Sequence, residues 1–347
     1  MNYQLLGNTG LRVSELCLGT MTFGEDWGWG ADRATSQKIY QRFIDQGGNF
    51  IDTADAYTNG TSEKFLGDFM EGHRPQVVLA TKYTDEMNPD NKDPNAAGNS
   101  RKNMMQSVEA SLKRLKTDYI DLLWVHAWDF MTPVREVMRG LDDLVRQGKV
   151  LYIGISDAPA WVIAEANMLA DLRGLTPLAA MQLEYNLVER TPERELLPYA
   201  RARNLTAVGW SPLASGILTG KYSKKNGKNE GGRLDEAPFK AQSDENLAIG
   251  DAVVEMAQEM GVSPSQLAIN WVRQRGVIPI LGARTEQHFE DNMGVLDFTI
   301  PEEQMNALNE LSSIELGFPL DFLAQTRNAT YGSTYDLIKS SAKSIFS

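Results

Sequence analysis

Cysteine is almost missing from this chain: Cys17 is the only one, so no internal disulfide can form, and its place between Leu16 and Leu18 reads as a small buried strand residue. Histidine is scarce as well. The three, His73, His126 and His288, show neither His-x-His nor His-x-x-x-His spacing, which removes the usual histidine frame for a metal and leaves His73 and His288 as surface residues. No apolar run approaches the roughly 18 residues of a membrane span, and no secretory leader pattern opens the chain, so a cytoplasmic protein without a membrane partner is expected. Positive charge is in deficit. With 34 Lys and Arg against 46 Asp and Glu, the net charge of −12 disfavours a nucleic-acid partner at long range. No G-x-S-x-G elbow offers a serine nucleophile.

What is present is a chain of 347 residues, 42% hydrophobic, enough for one domain spanning 1–347. Tyr3 to Val13 turns at Gly7-Asn8-Thr9-Gly10, the pattern of an N-terminal β-hairpin. Eight apolar runs then read as short buried strands: Leu16 to Leu18, Phe50-Ile51, Val77 to Ala80, Ile120 to Val125, Tyr152 to Ile155, Ala179 to Met181, Ala207 to Gly209 and Val277 to Leu281. Helical patterns separate them. One runs from Ala34 to Gly47-Gly48, and another places Met104, Val108, Leu112 and Leu115 on one face. A third has Thr132 as N-cap, Pro133 at its first position and Gly148 past its last turn. Others start at Pro159, at Thr191-Pro192, near Asn246, at the capping box Ser263-Pro264-Ser265-Gln266, at Glu286 and at Pro301. A polar stretch from Lys221 to Arg233 interrupts the rhythm.

This alternation predicts a parallel sheet covered by helices, closed into a (β/α)8 TIM barrel with extra C-terminal helices. The rival is an open doubly wound sheet. That sheet would carry G-x-G-x-x-G after its first strand, and Gly19-Thr20-Met21-Thr22-Phe23-Gly24 does not match it.

Nearly every strand ends in a chemically capable residue: Asp52, Lys82, His126, Ser156, Gln182, Trp210-Ser211 and Gly282. In a barrel these converge at one mouth. A tyrosine has a pKa near 10 and needs a neighbouring cation to handle protons near neutrality. Tyr57 follows Asp52 by one turn, Lys82 can be that cation, Asp52 can orient Lys82, and His126 can donate a hydrogen bond to a substrate oxygen. The set suits protonation of a carbonyl oxygen as hydride reaches its carbon, which requires a nicotinamide or flavin cofactor.

With Asp52 and Tyr57 in a D-x-x-x-x-Y pattern, Lys82 in Ala80-Thr81-Lys82 and His126 in Leu123-Trp124-Val125-His126, the chain resembles the aldo-keto reductases over nearly its whole length. Asn99-Ser100-Arg101-Lys102, His126-Ala127-Trp128-Asp129 and Gly148 to Trp161 are similar to the aryl-alcohol-dehydrogenase-like branch. The resemblance implies an NADPH/NADP+ cofactor and no metal, with Tyr57 as general acid tuned by Lys82 and Asp52, and His126 as orienter of a small-molecule carbonyl substrate. It implies cofactor contacts from Gly19, Thr20 and Met21, and from Asp52. Ser156 and Gln182 are implied on the nicotinamide amide, and Trp210 on its ring. Ser211, Pro212, Leu213, Ser215, Gly216 and Lys221 are implied near the pyrophosphate, with Arg233 beside them. Gly282 and Arg284 fall at the adenosine 2′-phosphate, and His288, Asp291 and Asn292 near adenine. Asp157 departs from the pattern, standing where many relatives carry asparagine. Trp27, Trp29, Tyr83 and Trp128, beside Tyr57 and His126, are expected to ring the substrate. A nicotinamide-sensing regulatory subunit is the alternative use of the same barrel.

Overall fold

The computed structural model describes residues 1–86, 90–223, 227–228 and 243–338. Eight parallel strands close into a barrel: β1 Cys17–Gly19, β2 Phe50–Asp52, β3 Val78–Tyr83, β4 Ile120–Val125, β5 Val150–Ser156, β6 Leu178–Glu184, β7 Thr206–Trp210 and β8 Ile278–Leu281. Each pairs with its sequence neighbours, and β8 returns to β1 through Ile280 opposite Cys17. Helices α1 Arg33–Asp45, α2 Thr61–Phe69, α3 Arg101–Leu115, α4 Val134–Arg146, α5 Ala160–Arg173 and α6 Leu196–Arg203 follow the first six strands. Between β7 and β8 lie α7 Asp244–Met260 and α8 Pro264–Gln274, and after β8 come α9 Glu286–Met293 and α10 Glu302–Leu311. Among the described residues no helix is long and apolar enough to cross a membrane.

Strand side chains alternate between two faces, and this decides the core. Cys17, Phe50, Val78, Ala80, Leu122, Trp124, Ala180, Val208 and Ile280 point inward and fill the barrel. The N-terminal hairpin, Tyr3–Leu5 paired with Arg12–Ser14, closes the bottom with Leu6 and Val13, both fully buried. Trp124 fits inside only because β5 carries Gly154 opposite it: a Cβ there would stand 2.4 Å from the indole. The odd-phase strand residues face outward and pack beneath the helices.

Two helix starts differ from the sequence expectation. Thr132 does not cap α4, because Asp129 accepts hydrogen bonds from its N–H at 2.8 Å and its hydroxyl at 2.7 Å. Pro133 becomes the cap residue, in extended conformation with ψ 137°, and Gly148 sits past the last turn with φ +72°. Thr191-Pro192 opens only a 3-10 turn, Thr191–Glu193, before α6. Pro198 explains this: a helix begun earlier would force its ring against the Arg194 carbonyl. Glu193 turns inward instead, bonding Arg190 and the Tyr185 hydroxyl, while Arg190 also reaches the Asn309 carbonyl near the end of α10. The capping box on Ser263 and Gln266 forms as expected. Arg233 lies outside the described residues.

Candidate active site

Inward phase carries the strand-end residues to one mouth. Asp52, Lys82, Ser156, Gln182 and Trp210 continue the inward rows of Phe50, Ala80, Gly154, Ala180 and Val208, and His126 follows Trp124 in the same phase. At the centre, the fully buried Lys82 ammonium pairs with Asp52 Oδ2 and donates to the Thr53 carbonyl at 2.8 Å and to Tyr57 Oη at 3.0 Å. Gln182 Nε2 donates to the other Asp52 oxygen at 2.8 Å. The Tyr57 ring meets His126 edge-on, centroids 5.8 Å apart.

Burial disfavours the Lys82 charge, but Asp52 and Tyr57 outweigh it and hold its pKa above the ordinary lysine value. Burial pushes the Tyr57 phenol up; Lys82 draws it down and Asp52 up again, and the net direction is upward. Tyr57 therefore keeps its proton through neutral pH. This differs from a simple phenolate-stabilising picture, because burial, with Asp52 adding to it, outweighs the pull of Lys82.

Three acidic residues around this centre escaped sequence reading. Asp85 places Oδ2 3.0 Å from His126 Nδ1, and the imidazole holds its carboxylate below the ordinary value. Asp55 is buried beside the Tyr57 turn with Oδ1 unpartnered, and burial, reinforced by nearby Glu63, raises its pKa well above the ordinary carboxylate value. Glu63 itself is fully buried, accepting from Thr81 Oγ1 at 2.6 Å and paired with Arg114 at 2.6 Å. The spacing Asp52, Asp55, Glu63 was visible; that Arg114 from α3 would meet Glu63 was not.

The segments around Asn99 and Asp129 hold each other. Asn99 and Asp129 exchange backbone-to-side-chain bonds at 2.8 Å in both directions, and Asn99 Nδ2 reaches the Ala127 carbonyl at 2.9 Å. The loop after β3 is thereby tied to the loop bearing His126.

Some expected contacts lie elsewhere. Tyr83 follows Lys82 directly, so strand alternation turns it away from the mouth and into the core between barrel and helices, 1% exposed. Trp128 packs into the same cluster. Thr20 is fully buried, its hydroxyl on the Asp52 carbonyl at 3.0 Å. Asp291 is engaged with α8, accepting from Ser263 Oγ at 2.9 Å and Gln266 Nε2 at 3.2 Å. His73 is no free surface residue, since it bonds the Tyr40 hydroxyl at 2.6 Å. Trp29 sits against Arg284, with the guanidinium 4.8 Å from its ring centroid, on the side of the mouth between β1 and β8.

Several mouth groups suit a large polar ligand. The Ser156 hydroxyl is buried without a hydrogen-bond partner. Trp210 presents its ring edge to Asp157, Nε1 to Oδ1 at 3.0 Å, and a cavity of about 300 Å³ opens beside it, lined by Asp157, Met181, Gln182, Leu183 and Pro192. The cavity excludes Tyr57 and His126, so it flanks the proton-handling centre. Ser211, Ala214, Ser215 and Gly216 all adopt positive φ, a backbone form that makes anion-binding concavities. Desolvation, then Lys221 and Arg284, lowers the His288 pKa, which places these three basic residues in one corner with Asp291. Asn292 Nδ2 reaches the Gly282 carbonyl at 3.2 Å.

Residues 15–313 match the aldo/keto reductase family. The chain is 36% identical over 337 residues to a norsolorinic acid reductase of Aspergillus flavus, covering 94% of this chain and 85% of that protein. It is 37% identical over 357 residues to an aryl-alcohol dehydrogenase [NADP(+)] of Phanerodontia chrysosporium, covering 98% and 91%. A norsolorinic acid reductase B of Dothistroma septosporum is 37% identical over 339 residues, covering 94% and 85%. A family match over residues 15–313, with relatives at 36–37% identity covering more than nine-tenths of the chain, means that this chain belongs to the aldo/keto reductase family, in its aryl-alcohol-dehydrogenase-like branch of oxidoreductases.

Proposed function

We propose that this protein reduces an aromatic or hydrophobic aldehyde or ketone to the alcohol with NADPH, reversibly with NADP+, and that Tyr57 is the general acid. The observation that carries the reading is the Tyr57 hydroxyl 3.0 Å from a fully buried Lys82 ammonium that Asp52 holds in place. The relative named for aryl alcohol and NADP(+) supports the substrate class and the cofactor.

When bound, the nicotinamide supplies the hydride. Tyr57 passes its proton to the carbonyl oxygen, and Lys82 stabilises the phenolate left behind. Asp52 keeps that ammonium charged and aimed, and Gln182 keeps Asp52 from rotating. His126 donates a hydrogen bond to the same substrate oxygen and so holds it beside the Tyr57 hydroxyl. The unpartnered Ser156 hydroxyl fits the nicotinamide amide, Trp210 its ring, the 211–216 backbone and Lys221 the pyrophosphate, and Arg284 with His288 and Asn292 the adenosine end.

Tyr57→Phe is the test. Turnover followed as loss of reduced-nicotinamide absorbance should fall by about 10² to 10⁴, with NADPH affinity retained. Unchanged turnover would refute the acid role. Tight NADPH binding without turnover of any carbonyl in the unaltered protein would favour a nicotinamide-sensing subunit instead.

A further inference from the structure

The loop between β1 and α1 is built as a fixed strut. At its base, Ala31 N donates to the Thr22 carbonyl at 2.7 Å and Gly24 N to the Ala31 carbonyl at 2.9 Å. Gly30, at φ +138°, admits no side chain, because a Cβ would stand 1.9 Å from the Gly24 carbonyl oxygen. Two hydrogen bonds tie this base to both halves of the mouth. Thr58 Oγ1, next to Tyr57, donates to the Phe23 carbonyl at 2.6 Å, and Thr22 Oγ1 donates to the Ala283 carbonyl, next to Arg284, at 2.7 Å. The tip carries Trp27 and Trp29, packed on each other with ring centroids 5.5 Å apart. On this platform rests the Arg284 guanidinium, 4.8 Å from the Trp29 centroid.

Stacking engages the face of a guanidinium, whereas anions bind its in-plane N–H edge, so one arginine can do both. Lys221 and Arg284 both act on the His288 imidazole, with Asp291 opposing them, so the guanidinium stands in a basic corner of the mouth. The Trp29 ring face attracts that guanidinium and restricts where it can lie. We propose that Trp29 is a positioning residue for cofactor choice: it holds Arg284 with its N–H edge toward the adenosine 2′-phosphate, making the protein's preference for NADPH over NADH depend on the β1–α1 loop as well as on Arg284 itself. The inference rests on the reading of Arg284 given above.

The test is calorimetric titration of NADPH and of NADH into the full chain carrying Trp29→Leu, Trp29→Phe, Arg284→Ala, or Trp29→Leu with Arg284→Ala. Leucine keeps apolar bulk without the ring; phenylalanine keeps the ring. Trp29→Leu should raise the NADPH dissociation constant about three- to tenfold, the range of a partly exposed cation–π contact, and leave that of NADH within about twofold. NADH binding doubles as the control for folding. Trp29→Phe should recover most of the loss, and Trp29→Leu should add nothing once Arg284 is alanine. Equal weakening of both dinucleotides by Trp29→Leu, or no weakening of NADPH while Arg284→Ala discriminates, overturns the role of Trp29 alone. Equal weakening of both by Arg284→Ala overturns the 2′-phosphate reading and this inference with it.

Discussion

Replacing Lys82 with methionine tests the centre of the site and the stability of the barrel together. The side chain keeps its length but loses the charge that pairs with Asp52, and both side chains are buried, 0% and 3% exposed. Asp52 would keep one side-chain donor, Gln182 Nε2. Removing one partner of a buried ion pair costs about 3–5 kcal/mol, most of it the price of leaving the other charge unpaired. With an unfolding entropy of about 2.1 cal/mol/K per residue, 347 residues translate this into a melting temperature lower by about 4–7 °C. Adding Asp52→Asn to Lys82→Met removes the stranded charge and should restore more than half of the loss. The sign of the pH dependence follows from Lys82: its folded pKa lies above the unfolded value, so its contribution is complete below about pH 10 and disappears only at higher pH. Melts by circular dichroism at pH 7 and pH 9 should therefore show the same gap. If Lys82→Met melts with the unaltered protein, or if the double variant is no more stable than the single, the pair does not carry the energy assigned to it.

Other outcomes follow from the same geometry. Because burial and Asp52 hold the Tyr57 phenol protonated, carbonyl reduction should stay level from about pH 6 to 9, while alcohol oxidation, which needs the phenolate, should climb with pH; parallel pH profiles in the two directions would contradict this. Glu193 is drawn upward by burial but held below its ordinary pKa by Arg190, Tyr185 and Arg275, so its stabilising effect is present above about pH 4.3 and is lost as pH falls through the depressed value. Glu193→Gln should cost about 3 kcal/mol in urea unfolding at pH 7, with a gap that narrows below pH 4; a constant gap would remove the ionised pair from the explanation.

Legibility from sequence tracked the range of the interactions involved. The eight strands and their polar ends were readable because a buried parallel strand must be a short apolar run that stops abruptly. The 263–266 capping box was readable for a similar reason, being settled within four residues. Thr132 misled, because its hydroxyl had a competing acceptor in Asp129, three residues back but on a loop whose path the helix pattern does not reveal. Pro198 was visible and decisive for the start of α6, and its clash with residue 194 limits the helix more strongly than Thr191-Pro192 initiates it.

Period-two alternation could have placed Tyr83 correctly, since a residue directly after inward-facing Lys82 must face the helices. By itself, then, the sequence determined the closed barrel and the convergence of Asp52, Lys82, His126, Ser156, Gln182 and Trp210 at one mouth, because these depend on backbone periodicity and on where each apolar run stops. Tertiary structure alone decided that Trp29 lies under Arg284, that Glu63 meets Arg114, that Asp85 faces His126 and that Asp291 serves α8. Those pairings join loops and helices far apart in the chain, and their geometry is set by how neighbouring βα units pack around the ring, which no local pattern encodes.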